Sequence, residues 1–151
     1  MLLLLPSGNK LQVGENTAEA QLFYLLTGSP QAWPDPAQAG TLLGQVYFAA
    51  GAATPIATSQ AQLAKLVVLL QAFPRAQLKL GGFTDNQESA EASLLLSADR
   101  ANAVRNALLA QGVSPSRVAA QGYGQTHPLT TNDTQAGRAQ NRRVAMLLTK
   151  K

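Results

Sequence analysis

The sequence predicts an α+β fold in two layers: one mixed four-stranded sheet with helices on one face, preceded by an N-terminal hairpin and helix. Three observations carry this. Runs of period-two alternation recur at 45–50, 76–83, 117–122 and 142–149. Two of the intervals between them hold apolar residues at helical spacing. The order strand–helix–strand–helix–strand–strand over 44–150 is that of a sheet layered against helices, in a chain of 151 residues with no internal repeat.

Each element has a local reason. Leu2–Leu5 and Lys10–Val13 flank Pro6-Ser7-Gly8-Asn9, which has turn chemistry, so they read as a hairpin. Asn16 or Thr17 can cap a short helix over 18–27, with Leu22, Leu25 and Leu26 on one side and Gly28 as its stop. Residues 29–41 hold Pro30, Pro34 and Pro36 and read as a loop or linker. Its Trp33 suits packing better than ligand stacking. These features divide the chain into an extension and linker, 1–41, and a main domain, 42–151.

The first strand of the main domain, 45–50, puts Val46 and Phe48 on one face and Tyr47 on the other. It runs into Ala49-Ala50-Gly51-Ala52-Ala53, whose small side chains let a backbone come close to a ligand or another loop. Thr54-Pro55 opens a helix with Leu63, Leu66, Val67 and Leu70 as its buried face, and Phe73-Pro74 ends it. A strand over 76–83 follows. A second helix over 90–111 has Leu94, Ala101, Val104 and Leu108 as its apolar side and Gly112 as its stop. Ser114–Arg117 is a turn, 117–122 a strand and Tyr123–Pro128 a loop, and a Gly- and Asn-bearing stretch follows up to Gly137. In the last strand Leu147 breaks the polar face, which suits a strand covered on both sides.

Composition narrows the function. Hydrophobic residues make up 46%, which places the chain among globular proteins rather than disordered ones. The net charge of +4 reflects few acids, 8 against 12 Lys plus Arg, and no basic cluster interleaves with aromatics, so nucleic acid is not an expected partner. Absence of Cys removes disulfides, thiolate chemistry, Cys-ligated metals and a lipobox cysteine. Met1–Leu5 starts like an export signal, but its apolar run stops at Pro6, short of the ~7–15 residues such a segment needs, and it has no basic start. No apolar run approaches the ~20 residues of a transmembrane helix. No cofactor is expected.

One stretch invites a chemical reading. The alternating Gln77-Leu78-Lys79-Leu80 leads through Gly81-Gly82 to Thr84-Asp85, and the helix that follows carries Arg100. A carboxylate at a strand end and a guanidinium on the next helix can face each other across one pocket. Such a pocket suits a ligand with both an ammonium, for Asp85, and a carboxylate, for Arg100. The competing reading is a surface ion pair between the two, worth about 0–1 kcal/mol. The single His, His127, precedes Pro128 in a loop with no carboxylate cluster nearby and reads as solvent-facing.

Taken together, these residues resemble the OmpA-like C-terminal domain, the peptidoglycan-associated module shared by OmpA proteins, Pal lipoproteins and the flagellar stator protein MotB. The resemblance spans Val46–Leu148. Its markers are the strand Val46-Tyr47-Phe48 with its small loop, Gly82-x-Thr84-Asp85, and Leu96-Ser97-x-x-Arg100-Ala101-x-x-Val104 with Gly112. They continue with Gly122-Tyr123-Gly124 and Pro128, Gly137-Arg138, and Asn141-Arg142-Arg143-Val144. The resemblance implies a non-covalent ligand, the peptidoglycan stem peptide, held by its diaminopimelate. It implies that Asp85 and Arg100 hold that residue's charged groups, with Thr84 beside Asp85. It further implies that Arg142 and Asn141 lie at the same pocket, that the loop holding Gly51 and Ala52 offers backbone groups, and that Leu96 and Ser97 line the rim. Asn141-Arg142-Arg143 also reads as a basic strand start; within the family frame Arg142 belongs to the pocket and Arg143 is structural. Three positions depart from the family pattern: Phe83 where His is usual, Ser93 where Asn is usual, and the 49–53 loop, which lacks a polar side chain.

The expected function is therefore non-catalytic anchoring of an envelope protein to the cell wall. The setting implied is the periplasm of a Gram-negative-type envelope, with the export signal or anchor absent from this chain. The alternative is a scaffold domain that keeps the fold for protein contacts after losing or weakening ligand binding, with 1–41 as a dimer or docking surface. A hydrolase would need a second acid near Asp85, and only Glu88 and Glu91 are close in sequence.

Overall fold

A computed structural model describes residues 2–6, 8–12 and 41–150; the helix expected over 18–27 and the loop with Trp33 lie outside these. Leu2–Leu4 (β1) and Lys10–Gln12 (β2) form the expected antiparallel hairpin, with Leu3 opposite Leu11. The turn closes through Gly8 N–H to the Leu5 carbonyl and Leu5 N–H to the Asn9 carbonyl, both 2.9 Å. Leu5 is buried and belongs to the same hydrophobic cluster as the main sheet.

The main unit runs Thr41–Tyr47 (β3), Ala57–Ala72 (α1), Gln77–Phe83 (β4), Ala90–Ala110 (α2), a 3-10 turn at Pro115–Arg117, Val118–Gly122 (β5), Gln135–Asn141 (α3) and Arg143–Lys150 (β6). The four strands pair in the order β3–β6–β4–β5, with β4 and β5 parallel and β6 antiparallel to both its neighbours. The alternation seen in the sequence becomes burial. Leu78 and Leu80 of β4, Val118 of β5, and Val144, Met146 and Leu148 of β6 point into one core with Leu63, Leu66, Val67 and Leu70 of α1 and Val104 and Leu108 of α2. Burying each such side chain contributes roughly 1.5–3 kcal/mol. Leu147 and Ala145, on the other face, are only half-buried.

The structure corrects three expectations. The first strand of the sheet begins at Thr41 and ends at Tyr47, earlier at both ends than 45–50. Backbone pairing with β6, from Thr41–Leu148 to Tyr47–Arg143, sets those limits, and side-chain alternation does not reveal it. The chain between Pro128 and the last strand, for which the sequence predicts no helix, contains α3. Its seven residues lack an apolar period; the Thr134 hydroxyl caps it by accepting from Gly137 N–H at 3.0 Å. Third, Leu94 is not on the buried side of α2 but 52% exposed. The buried face runs Ser93, Ser97, Arg100, Ala101, Val104 and Leu108, so its N-terminal half is polar.

That polar half sits close to the sheet. A Cβ on Gly82 would collide with the Ser97 carbonyl, and one on Gly122 would meet the Ala98 nitrogen and the Ser97 hydroxyl. Two adjacent strands thus present bare backbone to α2, because Gly82 and Gly122 are register partners. The helix can approach there only with glycine on both strands. Gly112, at φ +99°, ends α2 as expected.

Candidate functional site

The register of three strands assembles the site. Arg143 on the central strand β6 is paired with Tyr47 on one side and Phe83 on the other. The residues just beyond that row therefore share one edge of the sheet: Phe48 and the 49–53 loop, Arg142, and Thr84-Asp85. The crossover helix α2 brings Arg100 beneath them.

Asp85 is 6% exposed. Its Oδ2 accepts from Arg142 Nη1 at 3.1 Å, an ion pair, and its Oδ1 accepts from Gln87 N–H at 3.2 Å. Arg142 Nε donates to the Phe48 carbonyl at 3.1 Å, so the guanidinium is braced from behind. Arg100 is fully buried, with its Nε donating to the Ala52 carbonyl at 2.9 Å, Nη2 to Ala49 at 3.2 Å and Nη1 to Phe83 at 3.3 Å. Its guanidinium carbon lies 5.2 Å from the centre of the Phe48 ring. Burial lowers the Arg100 pKa to about 10, with Asp85 pulling it up and Arg142 pushing it down. The group remains a cation at neutral pH.

Neither sequence reading of the Asp85/Arg100 pair describes this arrangement. It is not a surface ion pair, because Arg100 is enclosed and the direct partner of Asp85 is Arg142. Arg100 is not an open fork either, since three of its five N–H groups hold loop and strand carbonyls. The more accessible of the two cations is Arg142, whose side chain is 15% accessible.

Other expected contact residues turn inward. Asn141 is completely buried, and its Oδ1 accepts from the Leu129 and Thr130 N–H groups at 2.7 and 3.1 Å. Its Nδ2 donates to the Thr130 carbonyl at 3.0 Å and to Asn132 Oδ1 at 2.9 Å. That uses the whole capacity of the amide, so Asn141 clamps the 129–132 loop and has nothing left for a ligand. Ser97 is likewise buried, donating to the Leu94 carbonyl at 2.9 Å and accepting from Gly124 N–H at 2.8 Å; it ties α2 to the loop after β5 rather than lining a rim. Thr84 is 2% exposed, and its hydroxyl donates to the Asp85 carbonyl at 2.8 Å, shaping the turn. Gly51 is exposed at φ +69° on the small loop, Ala52 turns its carbonyl to Arg100, and Leu96 is half-buried.

Some participants were not legible. The Phe48, Phe83 and Ala49 carbonyls orient the two arginines, and backbone acceptors carry no signal in a sequence. Phe83 stacks on Tyr123, with centroids 5.3 Å apart, and Arg143 lies 4.1 Å over its ring. Arg143 also donates to the Asn141 and His127 carbonyls at 3.3 and 3.2 Å, the structural role expected of it; burial lowers its pKa, opposed by Tyr47. His127 is exposed and sits edge-on to Phe83 and Tyr123. Among the described residues no group of three or more His, Cys, Asp or Glu could hold a metal ion, and no helix is long and apolar enough to cross a membrane.

A mixed sheet with helices on one face and a charged cluster at one strand edge defines a small domain of the α+β class. Residues 47–142 match the OmpA family, and the chain belongs to it. It is 35% identical over 103 residues to the probable lipoprotein YiaD of Escherichia coli K12, covering 68% of this chain and 47% of that protein. It is 35% identical over 105 residues to the peptidoglycan-binding protein ArfA of Mycobacterium bovis, covering 70% of this chain and 32% of that one. The chain thus spans between a third and a half of the length of these relatives. The peptidoglycan-associated lipoprotein from Burkholderia pseudomallei superposes with a TM-score of 0.66 at 31% identity, covering 69% of this chain and 88% of that one.

Proposed function

We propose that this chain binds peptidoglycan without catalysis, through the diaminopimelate of the stem peptide, and anchors an envelope protein to the cell wall. The observation that carries the reading is the convergence of one carboxylate, Asp85, and two guanidiniums, Arg142 and Arg100, at a single strand edge beside a loop of small residues. Diaminopimelate brings an ammonium and a carboxylate on one carbon. Asp85 takes the ammonium. Arg142, with three N–H groups beyond those bonded to Asp85 and Phe48, takes the carboxylate. Arg100 adds charge from below and holds the 49–52 loop, with two N–H groups in reserve if the loop yields. An analogue lacking either charge leaves a buried partner unpaired, which is the source of selectivity. The relatives named for peptidoglycan binding or association support the same class of partner.

One observation favours the scaffold alternative: without ligand, Asp85 and Arg142 already pair with each other, so a ligand gains less from either charge. Calorimetric titration with a diaminopimelate-containing stem peptide, and with its lysine-containing counterpart as control, decides between them. Saturable binding of the first only, lost in Asp85→Asn, is the expected result. Equal binding of both peptides, or none of either, overturns the proposal.

A further inference from the structure

At the opposite end of the sheet lies a second concavity. Register places its floor: Gln77 at the start of β4 pairs with Lys150 at the end of β6, and the 3-10 turn leads into β5 alongside. An open cleft of about 630 Å³ forms there, lined by Pro74, Arg75, Gln77, Ser114, Ser116, Arg117 and Lys150. With seven residues in β4 at ~3.3 Å each, it lies about 20 Å from the Asp85 pocket.

Three features distinguish this cleft from ordinary basic surface. Its Arg117 is anchored: Nε donates to the Ala76 carbonyl at 2.9 Å, and Nη2 donates to the Leu70 and Phe73 carbonyls at 2.8 and 2.9 Å. Those bonds neutralise the carbonyl end of α1, which would otherwise repel an anion. Next, every arginine except Arg75 donates to a backbone carbonyl. The Arg75 and Lys150 side chains are exposed and make no hydrogen bond or ion pair among the described residues. Finally, no acid lines the cleft among the described residues. Asp and Glu are absent from 36–84, 100–132 and 134–151, and every lining residue comes from those segments.

We propose that this cleft is a second ligand site, for a phosphate-bearing anion, at the pole opposite the Asp85 pocket. Three cations and the Ser114 and Ser116 hydroxyls, 3.2 Å apart, give several donors of different direction. That suits an anion with three or four acceptor oxygens and close to two charges better than a carboxylate, which one arginine satisfies. The volume exceeds that of a lone phosphate and fits a phosphorylated headgroup or sugar. β3 also starts at this pole, since Thr41 pairs with Leu148.

The test uses the whole chain and the Arg75→Ala/Lys150→Ala variant, whose changed side chains are exposed; matching circular dichroism establishes that its fold is retained. Inorganic phosphate is titrated and followed by amide chemical shifts. Saturable shifts at Gln77, Ser114 and Ser116, with affinity falling about tenfold or more in the variant, are expected for the loss of two cations. A second arm measures sedimentation with phosphatidylglycerol vesicles and with phosphatidylcholine vesicles. Capture by the first only, lost in the variant, identifies a lipid headgroup as the source; phosphate shifts without capture identify a soluble phosphate-bearing ligand. Absence of both saturable shifts and capture, or shifts and capture equal in the variant, overturns the proposal. Pelleting of the variant with peptidoglycan sacculi stays unchanged, so failure here is distinguishable from failure of the Asp85 pocket.

Discussion

Ser93 and Ser97 lie one turn apart on α2, both completely buried, and their hydroxyls differ in kind. Ser97 connects the Leu94 carbonyl to Gly124 N–H, whereas Ser93 Oγ has no partner among the described residues. Ser97→Ala should therefore cost about 1–3 kcal/mol, because it strands a buried N–H, while Ser93→Ala should be neutral or stabilising within about 1 kcal/mol. Urea denaturation of the two variants checks this. The short side chain at position 93 was legible in the sequence as a departure from the family pattern; its unpartnered state is the physical consequence. Arg100 calls for a similar distinction. Arg100→Ala leaves three carbonyls without their donor and should destabilise the fold by about 3 kcal/mol or more, so it is a poor test of binding alone. Asp85→Asn keeps the shape and removes the charge. It should lower affinity for the diaminopimelate peptide about tenfold or more with a melting temperature close to the parent's, measured by titration and calorimetry.

At the scale of elements, α2 shows where periodicity succeeds and where it misleads. Ala101, Val104 and Leu108 were legible as a buried face because the C-terminal half of the helix packs on apolar sheet residues. Leu94 was not, because the N-terminal half packs against glycine backbone and buries serines and an arginine instead. Gly82→Ala tests that contact: its Cβ meets the Ser97 carbonyl on the facing helix backbone, which has no flexible side chain to give way. A loss of about 2 kcal/mol or more is expected in denaturant unfolding. The helix α3 depends on its cap rather than on a hydrophobic stripe, so Thr134→Ala should cost about 1 kcal/mol in the same measurement.

Across the whole molecule, the two ends of the sheet differ in charge balance. Asp85 meets Arg142 and Arg100 at one end, while Arg75, Arg117 and Lys150 line the cleft at the other with no carboxylate among its lining residues. The two ends should differ in salt response. The Asp85 pocket is nearly closed to solvent, so its binding should weaken only modestly between ~0.05 and ~0.5 M salt. The open basic cleft should lose most of its phosphate affinity over the same range. Parallel titrations at several ionic strengths check the contrast.

The sequence by itself determined the hairpin, the strands near 76–83, 117–122 and 142–149, and the face of α1. These follow from local period and turn chemistry, which are properties of neighbouring residues; Arg142 was singled out only by the family resemblance. Only the tertiary structure decided which arginine pairs with Asp85, why Asn141 and Ser97 face inward, where β3 begins, and that Arg75, Arg117 and Lys150 meet. Each of these depends on strand register or on a backbone carbonyl from a distant segment. Asp85 and Arg142 lie 57 positions apart, and Arg117 and Ala76 lie 41 apart; no local pattern encodes such a meeting.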